Sequence, residues 1–148
     1  MMLTKVDPKT LTFNPFHAIG SQWMLITAGT AERCNTMTAS WGGVGIMWGK
    51  PVATAYIRPQ RYTKTFLDEQ DCFTLSFLPD QYRKELSYCG SVSGRDEDKI
   101  ARCGFTVQTA GCGAPYFAEA ELVLVCRKLY RQRLDPACFL DGEQDGRW

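Results

Sequence analysis

Apolar and polar positions change rhythm several times along the chain, and the changes mark out elements. Trp23-Met24-Leu25-Ile26-Thr27-Ala28 is a β-rich apolar run, closed by Gly29-Thr30 and a polar turn through Asn35. Met37 to Trp41 alternates large and small residues and runs into Gly42-Gly43-Val44-Gly45, as suits a strand whose backbone is closely approached. Lys50-Pro51 opens a strand through Val52–Ile57 that ends at Arg58-Pro59. Thr63 reads as the N-cap of a short helix carrying Lys64, Phe66, Leu67 and Glu69. Cys72 to Leu78 gives the clearest strand, with Phe73, Leu75 and Phe77 on one face and Thr74 and Ser76 on the other. A helix from Pro79-Asp80 carries Tyr82 and Leu86 and stops near Gly90; a second, from Asp96 to Arg102, ends at Gly104. Within 121–134, Leu122, Leu124 and Cys126 alternate with Val123, Val125 and Arg127 in another strand.

Several strands separated only by short helices predict a mainly β fold, a barrel with helical decoration rather than a doubly wound sheet. The 148 residues suit one domain with a real core. There is no internal repeat and no low-complexity linker.

Composition then removes several function classes. Seventeen basic and sixteen acidic side chains leave a net charge of +1, so bulk electrostatics draw the chain neither to nucleic acid nor to an anionic membrane. The first eight residues hold no apolar leader segment, and no apolar run reaches membrane-spanning length. Cysteines at 34, 72, 89, 103, 112, 126 and 138 are odd in number and show no C-x-x-C spacing. Reduced thiols in the cytoplasm are therefore expected, rather than a disulfide framework or a zinc site.

His17 is the sole histidine, which rules out multi-histidine metal sites, and it reads as a surface or packing residue rather than the base of a Ser-His-Asp or Cys-His arrangement. Gly45-Ile46-Met47-Trp48-Gly49-Lys50 is one residue short of a phosphate loop, and Pro51 stands where a magnesium-binding hydroxyl is needed. No G-x-G-x-x-G follows a strand. With so little acid–base equipment, catalysis would have to be carried by a cofactor that the protein binds and orients.

Three segments have suitable chemistry. Asn35-Thr36-Met37-Thr38-Ala39-Ser40-Trp41 offers small hydroxyls, backbone N–H groups and an aromatic wall to a heterocycle; it also reads as an ordinary strand with a buried tryptophan. Arg58-Pro59-Gln60-Arg61-Tyr62-Thr63 sets two arginines at a helix entry, where the guanidinium fork and free N–H groups favour an anion; a solvated turn is the other reading. Ser91-Val92-Ser93-Gly94-Arg95-Asp96-Glu97-Asp98-Lys99 surrounds a second helix start, either closing the same anion site or forming a capped helix with exposed charges.

Taken in order, Asn35–Gly42, Lys50-Pro51, Arg58–Thr63, Ser93–Asp96 with Lys99, and Ala114-Pro115-Tyr116-Phe117 resemble the flavin reductase-like family, which includes flavoredoxins. That resemblance implies an FMN-binding split β-barrel, FMN held noncovalently, and a homodimer. It implies Asn35, Thr36, Met37, Thr38, Ala39, Ser40 and Trp41 along the isoalloxazine and ribityl chain. Arg58, Arg61 and Thr63, joined by Ser93, Arg95 and Lys99, would lie near the phosphate. NAD(P)H would be the transient hydride donor, with no side chain acting as acid or base. Two alternatives stay open: a flavoredoxin-like carrier serving an electron-transfer protein, and a flavin-free binding module of the same fold. Family members generally continue past the position of Trp148 with a further strand, so the chain is expected to be a single domain without it.

Overall fold

The computed structural model describes residues 2–148. After a short helical entry, α1 (Pro15–His17) and a π-helical turn over Ala18–Gln22, the chain enters β1 (Met24–Gly29). It pairs antiparallel with β2 (Cys34–Ala39) in an unbroken register, from Met24 opposite Ala39 to Gly29 opposite Cys34. Asn35 therefore stands inside a strand, opposite Ala28, and not in the turn expected for it. The turn is confined to residues 30–33 because Gly29 adopts φ +122°, where an added Cβ would lie 2.3 Å from the Arg33 carbonyl oxygen.

A projecting hairpin follows, β3 (Gly42–Met47) against β4 (Lys50–Ala55). Its tip leaves Ile46, Met47 and Trp48 largely exposed. Helix α2 (Thr63–Glu69) turns Thr63, Phe66 and Leu67 inward, positions three and four apart on one face. Thr63 is its first helical residue rather than its cap, and the cap residue Tyr62 makes no side-chain capping bond. Then come β5 (Cys72–Phe77), a 3-10 turn over Asp80–Tyr82, and α3 (Arg83–Ser91). Helix α4 (Lys99–Cys103) begins three residues later than the sequence suggests, because Ser93–Asp98 is spent on turns and Asp98 makes the cap. A small hairpin of β6 (Val107–Thr109) and β7 (Pro115–Phe117) was not foreseen. β8 (Leu122–Arg127) ends seven residues before the expected limit, and α5 (Gly142–Arg147) follows an irregular stretch.

Four of the strands form one antiparallel sheet in the order β2-β1-β5-β8. One face carries Met24, Ile26, Leu75 and Phe77 into a cluster with Phe66 and Leu67 of α2. The other carries Leu25 into a second cluster with Leu78, Leu86, Phe105 and Phe117. Each large side chain buried this fully contributes roughly 1.5–3 kcal/mol. Both faces of β5 are thus covered, and Thr74 and Ser76, on the face opposite Phe73, Leu75 and Phe77 as expected, are fully buried too. The Thr74 hydroxyl is satisfied by donating 2.6 Å to the Pro115 carbonyl of β7, the element missing from the sequence reading. In β8 the alternation holds: Leu122, Leu124 and Cys126 pack on the first cluster, while Val125 and Arg127 face outward. The result is a mainly β protein with short helices. Among the described residues, no helix is long and apolar enough to cross a membrane.

Candidate functional site

β2 is an edge strand, so its outer side is free of a sheet partner. Helices α3 and α4 pack beside it instead, and the gap between β2 and α3 is an open groove walled by Trp23, Thr38, Ala39, Ser40, Leu86 and Gly90. The Thr38 hydroxyl donates to the Leu86 carbonyl, fixing the strand to the helix. Trp23 holds a left-handed backbone conformation, φ 72°, uncommon for a bulky residue. The Arg83 guanidinium sits 3.4 Å over its ring and donates to the Ser21 and Gln22 carbonyls, which pins that geometry.

At one end of the groove lies a corner built from three segments distant in sequence. Asn35, buried, donates 2.9 Å from Nδ2 to the Thr63 hydroxyl. Its other amide atom presses on Gly94, where a Cβ would fall 2.0 Å from Oδ1; only glycine lets the 93–98 turn approach β2 this closely. Arg61 donates 3.3 Å to the Gly90 carbonyl, and Lys99, 3% exposed, donates 2.9 Å to the Cys89 carbonyl. Both cations therefore serve the last turn of α3, whose carbonyls lack intrahelical partners and form the negative end of the helix. Arg95 stacks its guanidinium 4.6 Å above the Tyr62 ring, and the Ser93 hydroxyl accepts from the Arg95 N–H.

This corner has more positive charge than its partners neutralise. Burial pulls the Arg61 pKa down, and the neighbouring Arg58 pulls it further. Burial likewise lowers Lys99, with Arg61 acting in the same direction. Among the described residues the ion pairs are Arg33–Glu69, Lys64–Asp68, Arg131–Asp68 and Arg147–Glu143, so Arg58, Arg61, Arg95 and Lys99 share none. The nearby Asp98 is turned away to cap α4 through the Ala101 N–H. Partly desolvated cations whose only acceptors are neutral carbonyls suit an anion with several oxygens, such as a phosphate.

The remaining expected residues divide. Ser40 is exposed and Ala39 buried at the groove wall. Thr36 points into the sheet, sharing a 2.9 Å hydrogen bond with Thr27 and donating to the Ile26 carbonyl, and Met37 lies in the first core cluster. Trp41, 42% exposed, is not the buried tryptophan of an ordinary strand. It stacks on Trp148 at 6.4 Å and 23°, with Arg58 lying 5.9 Å from its ring and donating to the Arg147 carbonyl. Trp41 and Arg58 thus lie together with the α5 segment, rather than against the Arg61–Lys99 corner by direct contact. Trp23, Leu86 and Gly90 were not singled out from sequence. Leu86 was legible only as a helix core position, and Gly90 only as a helix stop. Among the described residues, no group of three or more His, Cys, Asp or Glu side chains could hold a metal ion.

Comparison with known proteins supplies the remaining facts. No match is found among curated proteins. Among solved structures, the flavoredoxin of Desulfovibrio vulgaris (Miyazaki F) superposes with a TM-score of 0.70 at 25% identity, over 89% of this chain and 69% of that one. The flavoredoxin of Methanosarcina acetivorans gives 0.70 at 22% identity, over 90% and 68%. An FMN-binding domain of a flavin reductases-like enzyme from Shewanella baltica gives 0.67 at 20%, over 79% of this chain and 62% of that one. The sequence pattern of the Flavin reductase like domain matches residues 16–138, which take in β2, the groove and the cationic corner. The chain belongs to the flavin reductase-like family.

Proposed function

We propose that the protein is an FMN-binding oxidoreductase and that it works as an NAD(P)H:flavin reductase. The observation that carries this reading is the corner of Arg61 and Lys99: two partly desolvated cations with no carboxylate, at the end of a groove in a flavin reductase-like fold. The residues fit the group. Arg61, Lys99 and Arg95 would hold the phosphate of FMN, with the Ser93 hydroxyl as a further donor. Thr63 and Asn35 would brace the corner from beneath, and Arg58 would add to its positive field. Thr38, Ala39 and Ser40, with the backbone of Thr36 and Met37, would border the ribityl chain and ring, and Trp41 would supply an aromatic wall.

FMN held there would supply hydride and electron transfer between a nicotinamide and an acceptor. The chain's own contribution is to bind, orient and exclude water, which brings donor and acceptor to reacting distance. No side chain is required to carry a proton. The exposed apolar tip of β3–β4, with Ile46 at 69% and Trp48 at 59%, is the surface we assign to a homodimer contact. A flavoredoxin-like carrier that trades electrons with a protein partner is the second reading, favoured by the similarity to the Desulfovibrio flavoredoxin.

The test is the visible spectrum of the purified protein, followed by identification of the chromophore released on heating and by steady-state oxidation of NADH and NADPH. A two-band flavin spectrum, released FMN and turnover with either nicotinamide are expected. FMN bound without turnover, but reduced rapidly by a ferredoxin-type donor, supports the carrier. A protein that stays colourless after incubation with FMN overturns both.

A further inference from the structure

Outside the flavin reading, the most informative cluster is a pair of thiols. Cys89 is in the last turn of α3 and fully buried; Cys103 closes α4 and is half-buried. Their sulfurs lie 3.7 Å apart, although the residues are fourteen positions apart in sequence. Glu85 stands one turn before Cys89 on α3, on the same helix face. Its Oε2 is buried and, among the described residues, has no hydrogen-bond partner. Cys103 Sγ reaches the Glu85 backbone carbonyl oxygen at 4.0 Å, not its carboxylate. We propose that Cys89 and Cys103 form a dithiol/disulfide centre.

The charges order the events. Burial pushes the Cys89 thiol up to about 12, and Cys103 beside it adds to the rise. Burial also raises Cys103, but the hydrogen bond it accepts from Cys89 acts in the opposite direction, as do Lys99 and Arg102. The Glu85 carboxylate raises both thiols. Cys103, the more exposed and the more readily ionised, is the attacking sulfur. It gives its proton to solvent and attacks a low-molecular-weight disulfide, displacing one thiolate, which takes up a proton from solvent. Cys89 then loses its proton and attacks Cys103 Sγ, expelling the second thiolate, which is protonated in turn. Two thiols are oxidised, one external disulfide is reduced to two thiols, and two electrons and two protons leave the protein. Closing the bond brings the sulfurs from 3.7 Å to about 2.05 Å. The bond would close a loop that contains Ser93, Arg95 and Lys99, whose Nζ already donates to the Cys89 carbonyl. The centre stands apart from the flavin reading, because its readout needs no flavin.

The full chain is equilibrated in a series of reduced-to-oxidised glutathione ratios, quenched in acid, alkylated with N-ethylmaleimide, digested and analysed by mass. The expected product is the Cys89 peptide joined to the Cys103 peptide, rising with the two-electron dependence on the glutathione ratio. The other five cysteines stay alkylated or pair later. The oxidised protein should also melt roughly 5–10 °C higher, from the constraint of the closed loop. Cys103→Ser abolishes the product, and Cys89→Ala converts Cys103 into a simple glutathione adduct. Recovery of Cys89 and Cys103 unlinked at every ratio overturns the centre, whether or not the variants fold.

Discussion

The interior of the sheet and the corner beside it both bury polar atoms, but they settle them differently. In the sheet, the hydroxyls close on one another or on a neighbouring carbonyl: Thr27 with Thr36, and Thr74 with Pro115. Each such pair is neutral and complete, apart from Ser76, whose hydroxyl has no partner among the described residues. In the corner, Arg61 and Lys99 aim full charges at neutral carbonyls and keep donors to spare. Buried neutral pairs serve the fold alone. Buried cations without counter-charge cost stability, and that cost is recovered when an anion arrives.

If that contrast is right, core truncation should damage stability most. Phe77→Ala should lower unfolding free energy by about 3–5 kcal/mol, read by urea denaturation of the flavin-free protein. A much smaller loss would mean the sheet is not where the stability lies. Next in size, Arg61→Ala should weaken FMN binding roughly 10- to 100-fold, measured by quenching of flavin fluorescence. Its flavin-free stability should change far less than its affinity. An equal loss in both would make Arg61 a helix-capping residue only. Third, Thr27→Val should cost about 1 kcal/mol and leave FMN affinity unchanged, since Thr36 can still donate to the Ile26 carbonyl.

The smallest effect concerns pH. Lys99 has a depressed native pKa, first through burial, against an ordinary value of 10.5. Between those two values the native state has given up the proton while the unfolded state still binds it. The flavin-free protein should therefore gain stability as pH rises through that window, with the penalty fully present below it. Lys99→Met should remove the rise. In the FMN complex the phosphate should hold the proton on Lys99 and flatten the same rise, which denaturation curves at successive pH values would detect.

Local pattern made much of this legible. Cys72 to Phe77 reads as a strand from its apolar run alone, and Gly29 marks a turn wherever the rest of the chain goes. The run Arg58–Thr63 sets two arginines at a helix entry, and its pattern alone leaves a solvated turn and an anion site both open. The alternation in β8 is visible because one of its faces meets solvent. Where both faces of a strand are covered, as in β5, period-two alternation assigns the faces but not their burial, and the full burial of Thr74 and Ser76 was not legible for that reason. The short hairpin β6–β7 carries too few residues to show a period at all.

The sequence by itself determined the strand-rich class, the glycine turn at Gly29 and the family pattern. Those follow from side-chain identity and near-neighbour spacing, which survive in one dimension. Only the tertiary structure decided that Asn35, Thr63 and Gly94 meet, and that Arg61 and Lys99 share one helix end without a carboxylate. It alone set Cys89 against Cys103. Contacts of that kind join residues far apart along the chain, and they are fixed by the packing of whole elements against the sheet rather than by anything the residues prefer locally.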